Sequence, residues 1–311
     1  MDLALSPDQA SLLDAVGKLV APFRSPPAGL RETLLTSTAL DRALRDAGFR
    51  DVARFDGMGP LDAVLVAELV HALPYSVEYA GSALLSRVLG RDIDGPLALL
   101  EAPAATPTRF LQAGGTALIV DGEDARLLAI GRDAVEPVET SFAYPLGRLR
   151  PEVRGTGTRL AGAGALVRQW WAVALAAELS ATARAAVDLT VDYVKDRRQF
   201  GRPLGSYQAV QHRLSECMVA VQAMQALVRR AAALGTPQAA LAALVQAKEA
   251  CARIIYDTHQ FQGAIGLTYE YPLHFYTYRL RLLHGELGSP ADCAEQLASA
   301  RWGDAEVDWN E

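Results

Sequence analysis

Between Tyr193 and His212 the chain reads YVKDRRQFGRPLGSYQAVQH, and Arg197, Arg198 and Arg202 fall within six residues of one another. A guanidinium presents a planar fork of donors that phosphate oxygens accept, so this cluster suits an anionic ligand. Phe200 is its apolar member. The same residues also suit a solvated helix terminus with a buried Phe, because cations near a helix C-terminus are favoured by the dipole. A second chemical signal is Glu178, set among Ala176, Ala177 and Leu179. A carboxylate in such company is costly unless it is paired or functional, and an arginine such as Arg184 or a residue of a partner is the pairing reading. His212 and His259 flank chemically rich stretches and read either as ligand contacts or as satisfied structural groups. Trp170 and Trp171 read either as the wall of a cleft or as packing. His284, Glu286 and Asp292 do not have metal-site spacing.

Gly201, Pro203 and Gly205 interrupt any helix through the arginine cluster, which therefore lies at a corner between two alanine-rich helical runs, 165–195 and 207–233. Leu175, Leu179, Ala186, Leu189 and Tyr193 give the first run one apolar face; Val210, Leu214, Val221, Met224, Leu227 and Val228 give the second another. A third helix is predicted from Pro237 to about Phe261 with Leu241, Leu244, Val245 and Ile255, a fourth from Pro272 to Leu283. Pro290 opens a last short helix before the tail that starts at Trp302. These apolar faces exceed what one bundle core needs, so part of them is expected to pack on another subunit. Upstream, Ser6-Pro7-Asp8-Gln9 has the form of a helix start, followed by Leu12, Leu13, Val16, Leu19 and Val20 at helical spacing, with Pro26-Pro27 as the stop. Further helices are predicted over 40–47, 61–72 and 77–89. From 91 to 160 short β-type runs, 116–120 and 127–130, lie between Gly, Pro and Asp. The expected fold is mainly α with a small middle β domain: an N-terminal helical domain over 1–90, a reduced β domain over 91–162 and a C-terminal helical bundle over 163–311.

The 311 residues are half hydrophobic and carry a net charge of −6, which argues against nucleic acid as the main partner. Cys217, Cys251 and Cys293 are odd in number and widely spaced, the pattern of reduced thiols and a cytoplasmic setting. The start, Met1 to Pro7, has no secretory pattern, and no stretch approaches the roughly 20 apolar residues of a membrane span.

The segment from Arg197 to Leu204, RRQFGRPL, followed by YQAVQH from Tyr207, resembles the C-terminal helical domain of the acyl-CoA dehydrogenase family. A second stretch, QFQGAIGLTYEYPL from Gln260, is similar to that family's glutamine, glycine, glycine, Glu-Tyr-Pro segment. Leu44 to Phe49 and Val66 to Leu69 look like pieces of its N-terminal domain. The resemblance implies an oxidoreductase that takes a proton from the carbon alpha to a thioester and passes the beta hydrogen to FAD as hydride. It also implies that FAD is contacted across a subunit interface, here by Arg197, Gln199, Phe200, Gln208, Gln260, Gly263 and Gly266. The base is harder to find. The family's two positions for it fall on Leu287 and Trp171, neither a carboxylate; Glu286 misses the first by one residue, about 100° around a helix, and Glu178 lies seven residues after the second, on its face. Nor is there a convincing counterpart of the middle-domain segment that holds the flavin ring; 103–108 looks like a shortened connection. Together these features resemble the short subunit of heteromeric, α2β2, acyl-CoA dehydrogenases of steroid breakdown. In those enzymes a longer partner carries the base and the flavin ring, and an electron-transferring flavoprotein is the expected acceptor. The alternatives are a self-sufficient homomeric enzyme using Glu286 or Glu178, and a scaffold without catalytic part.

Overall fold

The computed structural model describes residues 4–27, 32–140 and 143–303; Met1 to Leu3 and the end of the tail, 304–311, lie outside them. The first helix, α1 (Pro7–Val20), starts where its sequence predicts. The Gln9 backbone N–H donates to Ser6 Oγ and the Ser6 N–H to Gln9 Oε1, both at 3.1 Å; such a reciprocal cap is worth about 1 kcal/mol. Leu12, Val16 and Val20, four residues apart, form its buried stripe. Then come α2 (Thr38–Asp46), α3 (Pro60–Val70) and α4 (Ala80–Leu89). The last begins three residues later than predicted, for a visible reason. The Arg50 guanidinium takes the Glu78 carbonyl at 2.7 Å, and the Glu78 carboxylate accepts the Ser82 N–H at 3.0 Å. The backbone before Ala80 is thus used as a cap rather than as a turn of helix.

Two small sheets follow. One has the order β1 (Leu97–Glu101), β3 (Thr116–Asp121), β4 (Asp124–Ala129), β7 (Thr158–Leu160); the other has β2 (Thr108–Arg109), β6 (Leu146–Leu149), β5 (Val135–Val138). β3 lies between a parallel and an antiparallel neighbour and is buried along its length to Val120, which accounts for its unbroken apolar run. The sheets rest on the helices at close range. A Cβ on Gly164 would stand 2.4 Å from the Gly122 carbonyl oxygen, so only glycine lets the next helix begin against that hairpin.

That helix, α5 (Gly164–Asp196), is the axis of the molecule. From Trp170 to Ala183 every residue is buried, because α3, α4, α6 (Gln208–Leu234), α7 (Pro237–Gln262) and α8 (Leu273–His284) all pack on it. Its many alanines let those backbones approach. The expectation of one buried face, with surplus apolar surface left for another subunit, is therefore corrected for α5 from Trp170 to Ala183, where the whole circumference is covered within the chain; Leu189, Val191 and Tyr193 beyond it stay part-buried. On α6, Leu214, Val221, Met224 and Val228 face the core, and Val219 remains exposed. α9 (Pro290–Trp302) closes the chain, opened by a Ser289–Asp292 cap. One side chain ties the N-terminal helices to the bundle: Arg279 of α8, fully buried, donates to the carbonyls of Phe275, Tyr75, His71 and Leu73 at 2.9–3.1 Å.

Candidate functional site

The arginine cluster sits on a two-stranded hairpin, β8 (Arg198–Gln199) and β9 (Arg202–Pro203), inserted between α5 and α6. Its two turn residues, Phe200 and Gly201, both have positive φ, +54° and +84°. A two-residue turn of this hand matches the twist of the flanking strands, but it asks for Asn or Gly where this chain has Phe. The consequence is visible in Phe200, which is 87% exposed; the reading of a helix end with a buried Phe is thereby corrected. The Arg202 guanidinium lies 3.9 Å over the Tyr207 ring, and Phe200 meets the same ring edge-on at 6.5 Å. Among the described residues no carboxylate pairs with Arg197, Arg198 or Arg202. Gln199 and Gln208, the latter at the first position of α6, are exposed beside them.

The alternation of α5, α6 and α7 returns the end of α7 to the same end of the bundle. Gln262 there donates to Thr190 Oγ1 of α5 at 2.8 Å, and Arg213 of α6 lies over Phe261 at 5.1 Å. Beside this junction is a cavity of about 1010 Å³ whose lining includes Gln260, Gly263, Gly266, His259 and Arg281. Gly263 has φ +63°, and a Cβ on Gly266 would meet Gln262 Cβ at 2.9 Å, so both motif glycines are structurally required. The hairpin residues do not line this cavity; they stand at the same bundle end. His259 bonds Thr277 Oγ1 at 3.1 Å and burial holds its pKa below the ordinary value, whereas His212 is exposed.

The two candidate carboxylates meet deeper in the chain. Glu178, with a side chain 3% exposed, takes Arg109 Nη1 at 2.9 Å and the Tyr144 hydroxyl at 2.6 Å. Glu286 takes Arg109 Nε at 2.5 Å. The expected partner Arg184 instead bonds Asp188 at 2.7 Å, because six residues along a helix it points about 120° away from Glu178. Burial works against the charge on Glu178, but Arg109, His71, the Tyr144 hydrogen bond and Arg279 together hold its carboxyl below the usual range. His71 stands 3.5 Å from Glu178, and burial pushes its pKa down to about 4. Only about 10 Å³ of free space remains between this cluster and the start of α4. Glu286 is also held through its backbone: buried Lys248 donates to the carbonyls of Glu286 and Gly288, and Cys293 donates to that of Leu287 at 3.2 Å.

Trp170 and Trp171 are both buried; Trp171 additionally walls a groove of about 1240 Å³, where its Nε1–H reaches Glu286 Oε2 at 3.4 Å. Arg109, Tyr144 and His71 carry no local sign of their role. Arg109 and Glu286 are 177 residues apart, and only a structure joins them.

The acyl-CoA dehydrogenase C-terminal domain profile matches residues 169–289, which contain the hairpin and the Gln-Gly-Gly segment. Over 238 residues, 71% of this chain and 76% of the other, the sequence is 31% identical to acyl-CoA dehydrogenase IpdE2 of Mycolicibacterium smegmatis. The chain belongs to the acyl-CoA dehydrogenase family. Its likeness to the IpdE2 of Mycobacterium tuberculosis is 37% over 131 residues, 42% of this chain and 41% of that protein. One chain of the ChsE4–ChsE5 complex from Mycobacterium tuberculosis superposes with a TM-score of 0.77 at 18% identity, covering 97% of this chain and 99% of that one. A chain of the Tcur3481–Tcur3483 steroid ACAD gives 0.72 at 21%, covering 94% and 97%. At those identities the likeness is one of fold, and it is the acyl-CoA dehydrogenase fold: mainly helical with a small sheet domain between helical parts.

Proposed function

We propose that this acyl-CoA dehydrogenase chain is the short, cofactor-completing subunit of a heteromeric enzyme. The enzyme would desaturate an acyl-CoA thioester between its α and β carbons. The substrate would be a bulky steroid side-chain ester, and a longer partner would carry the base and the flavin ring. What carries the proposal is a contrast inside one chain. The cationic groups of the hairpin have no carboxylate partner among the described residues and Phe200 faces outward, while both carboxylates placed for a base are bound to Arg109 at 2.5 and 2.9 Å. A general base must be free to take a proton: Arg109 occupies an oxygen of each carboxylate, and together with its other partners it holds the Glu178 carboxyl below the usual range, which weakens it as a base.

The residues at the bundle end fit a dinucleotide. Guanidiniums without carboxylate partners suit a diphosphate, an outward ring suits a flat heterocycle, and two glycines leave backbone bare for close approach. Arg197 would balance the diphosphate, Phe200 would lie against a ring, and Gln199, Gln208 and Gln260 would orient the ligand by hydrogen bonds, with Gly263 and Gly266 at the cavity. FAD, when bound, supplies the acceptor for the β hydrogen. The steroid class is supported by the fold likeness to a steroid ACAD, and an electron-transferring flavoprotein is the acceptor that the family suggests.

In the co-expressed complex, replacing Arg197 and Phe200 together by Ala should lower flavin content severalfold while size-exclusion chromatography still shows the assembled complex. Unchanged flavin content would leave a scaffold role instead. A chain that purifies alone as a yellow protein and oxidises an acyl-CoA would establish the self-sufficient reading with Glu286 or Glu178 as base.

A further inference from the structure

The groove of about 1240 Å³ meets α7 at Pro237 to Leu244, whereas the cavity beside the hairpin meets the last turns of that helix, so the two lie toward opposite ends of α7. Its volume exceeds that of an ordinary small-molecule pocket. Leu99, Trp171, Ala240, Leu241, Leu244 and Leu287 make its wall apolar.

The charged groups in the lining select among ligands. They are two guanidiniums, Arg109 and Arg168, and three carboxylates, Glu101, Glu286 and Asp292. Both cations are already spoken for: Arg168 holds Glu101 at 2.7 Å, and Arg109 holds Glu286 and Glu178. Among the described residues of the lining an anionic ligand would find no free cation and a surplus of carboxylate, a repulsive setting in a partly desolvated site. Acceptor capacity, in contrast, is available. Glu286 Oε1 is engaged by Arg109 at 2.5 Å, but among the described residues Oε2 has only two long contacts, from Arg109 Nη2 and Trp171 Nε1, each at 3.4 Å. Those lie beyond the usual ~2.7–3.2 Å range of N–H···O bonds. The Glu286 side chain is 18% exposed at this floor; the Lys248 and Cys293 bonds anchor the backbone that carries it, and Arg109 orients the carboxylate.

We infer that this groove binds an uncharged, mainly apolar molecule that carries a hydroxyl, a long-chain or polycyclic alcohol, whose O–H donates to Glu286 Oε2. None of the hairpin residues lines the groove, so this site is distinct from the proposed hairpin contacts to the cofactor.

The purified full-length chain is titrated calorimetrically with three probes of equal chain length: decan-1-ol, its methyl ether, which lacks the donor, and decanoate, which carries the wrong charge. Decan-1-ol should bind at least about tenfold more tightly than either of the others, the discrimination expected when one buried polar group goes unpaired. Leu241→Trp, which fills the groove from a part-buried wall position, should weaken decan-1-ol binding at least about tenfold with the thermal midpoint retained. The Arg197→Ala, Phe200→Ala double variant should leave it unchanged, which separates failure of this site from failure of the cofactor reading. Equal affinity for decanoate or for the ether, full binding by a folded Leu241→Trp chain, or no binding of decan-1-ol by the folded wild type would each overturn the assignment.

Discussion

At the scale of single residues the molecule turns on Arg109. It is the common partner of two carboxylates, and although burial disfavours its charge, Glu178 and Glu286 keep it protonated. His71 next to this cluster sets a pH dependence. The unfolded chain takes up its proton near pH 6.5, the folded chain only near 4, so between those values the unfolded state binds the extra proton and acidification lowers stability. The loss over that window should be roughly 3 kcal/mol, and His71→Met should flatten the slope in urea melts at a series of pH values. Glu178, whose folded pKa is depressed, adds a further loss only below the ordinary carboxylate range. The sequence marked Glu178 correctly as a carboxylate in apolar company. It gave no access to the partners: neither Arg109 nor Tyr144 lies within a helical turn of it, and the nearby Arg184 faces the wrong way.

At the scale of elements the hairpin is the informative piece. Its glycines and proline announced a break, but not that the break is a strand pair two residues long on each side, nor that Phe200 takes the left-handed conformation. Local sequence preference and structure disagree there, and such disagreement tends to mark a functional position. Phe200→Gly should therefore stabilise the isolated chain by about 1 kcal/mol, read as a raised thermal midpoint, and yet reduce flavin retention in the complex. A fall in both would mean that the ring supports the fold of its own chain. Elements whose ends are written in local chemistry were legible: Ser6-Pro7, Thr236-Pro237 and Ser289-Pro290 each open a helix as predicted. The late start of α4 was not, because it depends on Arg50, 28 residues away from the carbonyl it takes.

At the scale of the whole molecule, the N-terminal helices and the bundle are joined by α5 and by Arg279. Arg279 serves four carbonyls and, among the described residues, pairs with no carboxylate, so it holds mainly through hydrogen-bond geometry, with Glu178 acting on it only at longer range. Arg279→Met should deprive the carbonyls of Leu73 and Tyr75 of their side-chain donor and leave that of His71 with the long Thr182 hydroxyl contact at 3.4 Å, cost on the order of 3 kcal/mol, and increase hydrogen exchange first in α3 and α4. Uniform loss of protection would show that the joint is not local.

The uninterrupted 33-residue α5 carries both Glu178 near its middle and the hairpin at its end. A rigid rod of that kind acts as a ruler and a protractor at once: every residue gained or lost between Glu178 and Arg197 shifts the hairpin by about 1.5 Å and turns it by about 100°. Length variation in this stretch would displace the hairpin in either case: even a whole heptad, which restores its direction to within about 20°, carries it about 10.5 Å along the axis, so the count of residues here is fixed more tightly than any one exposed side chain.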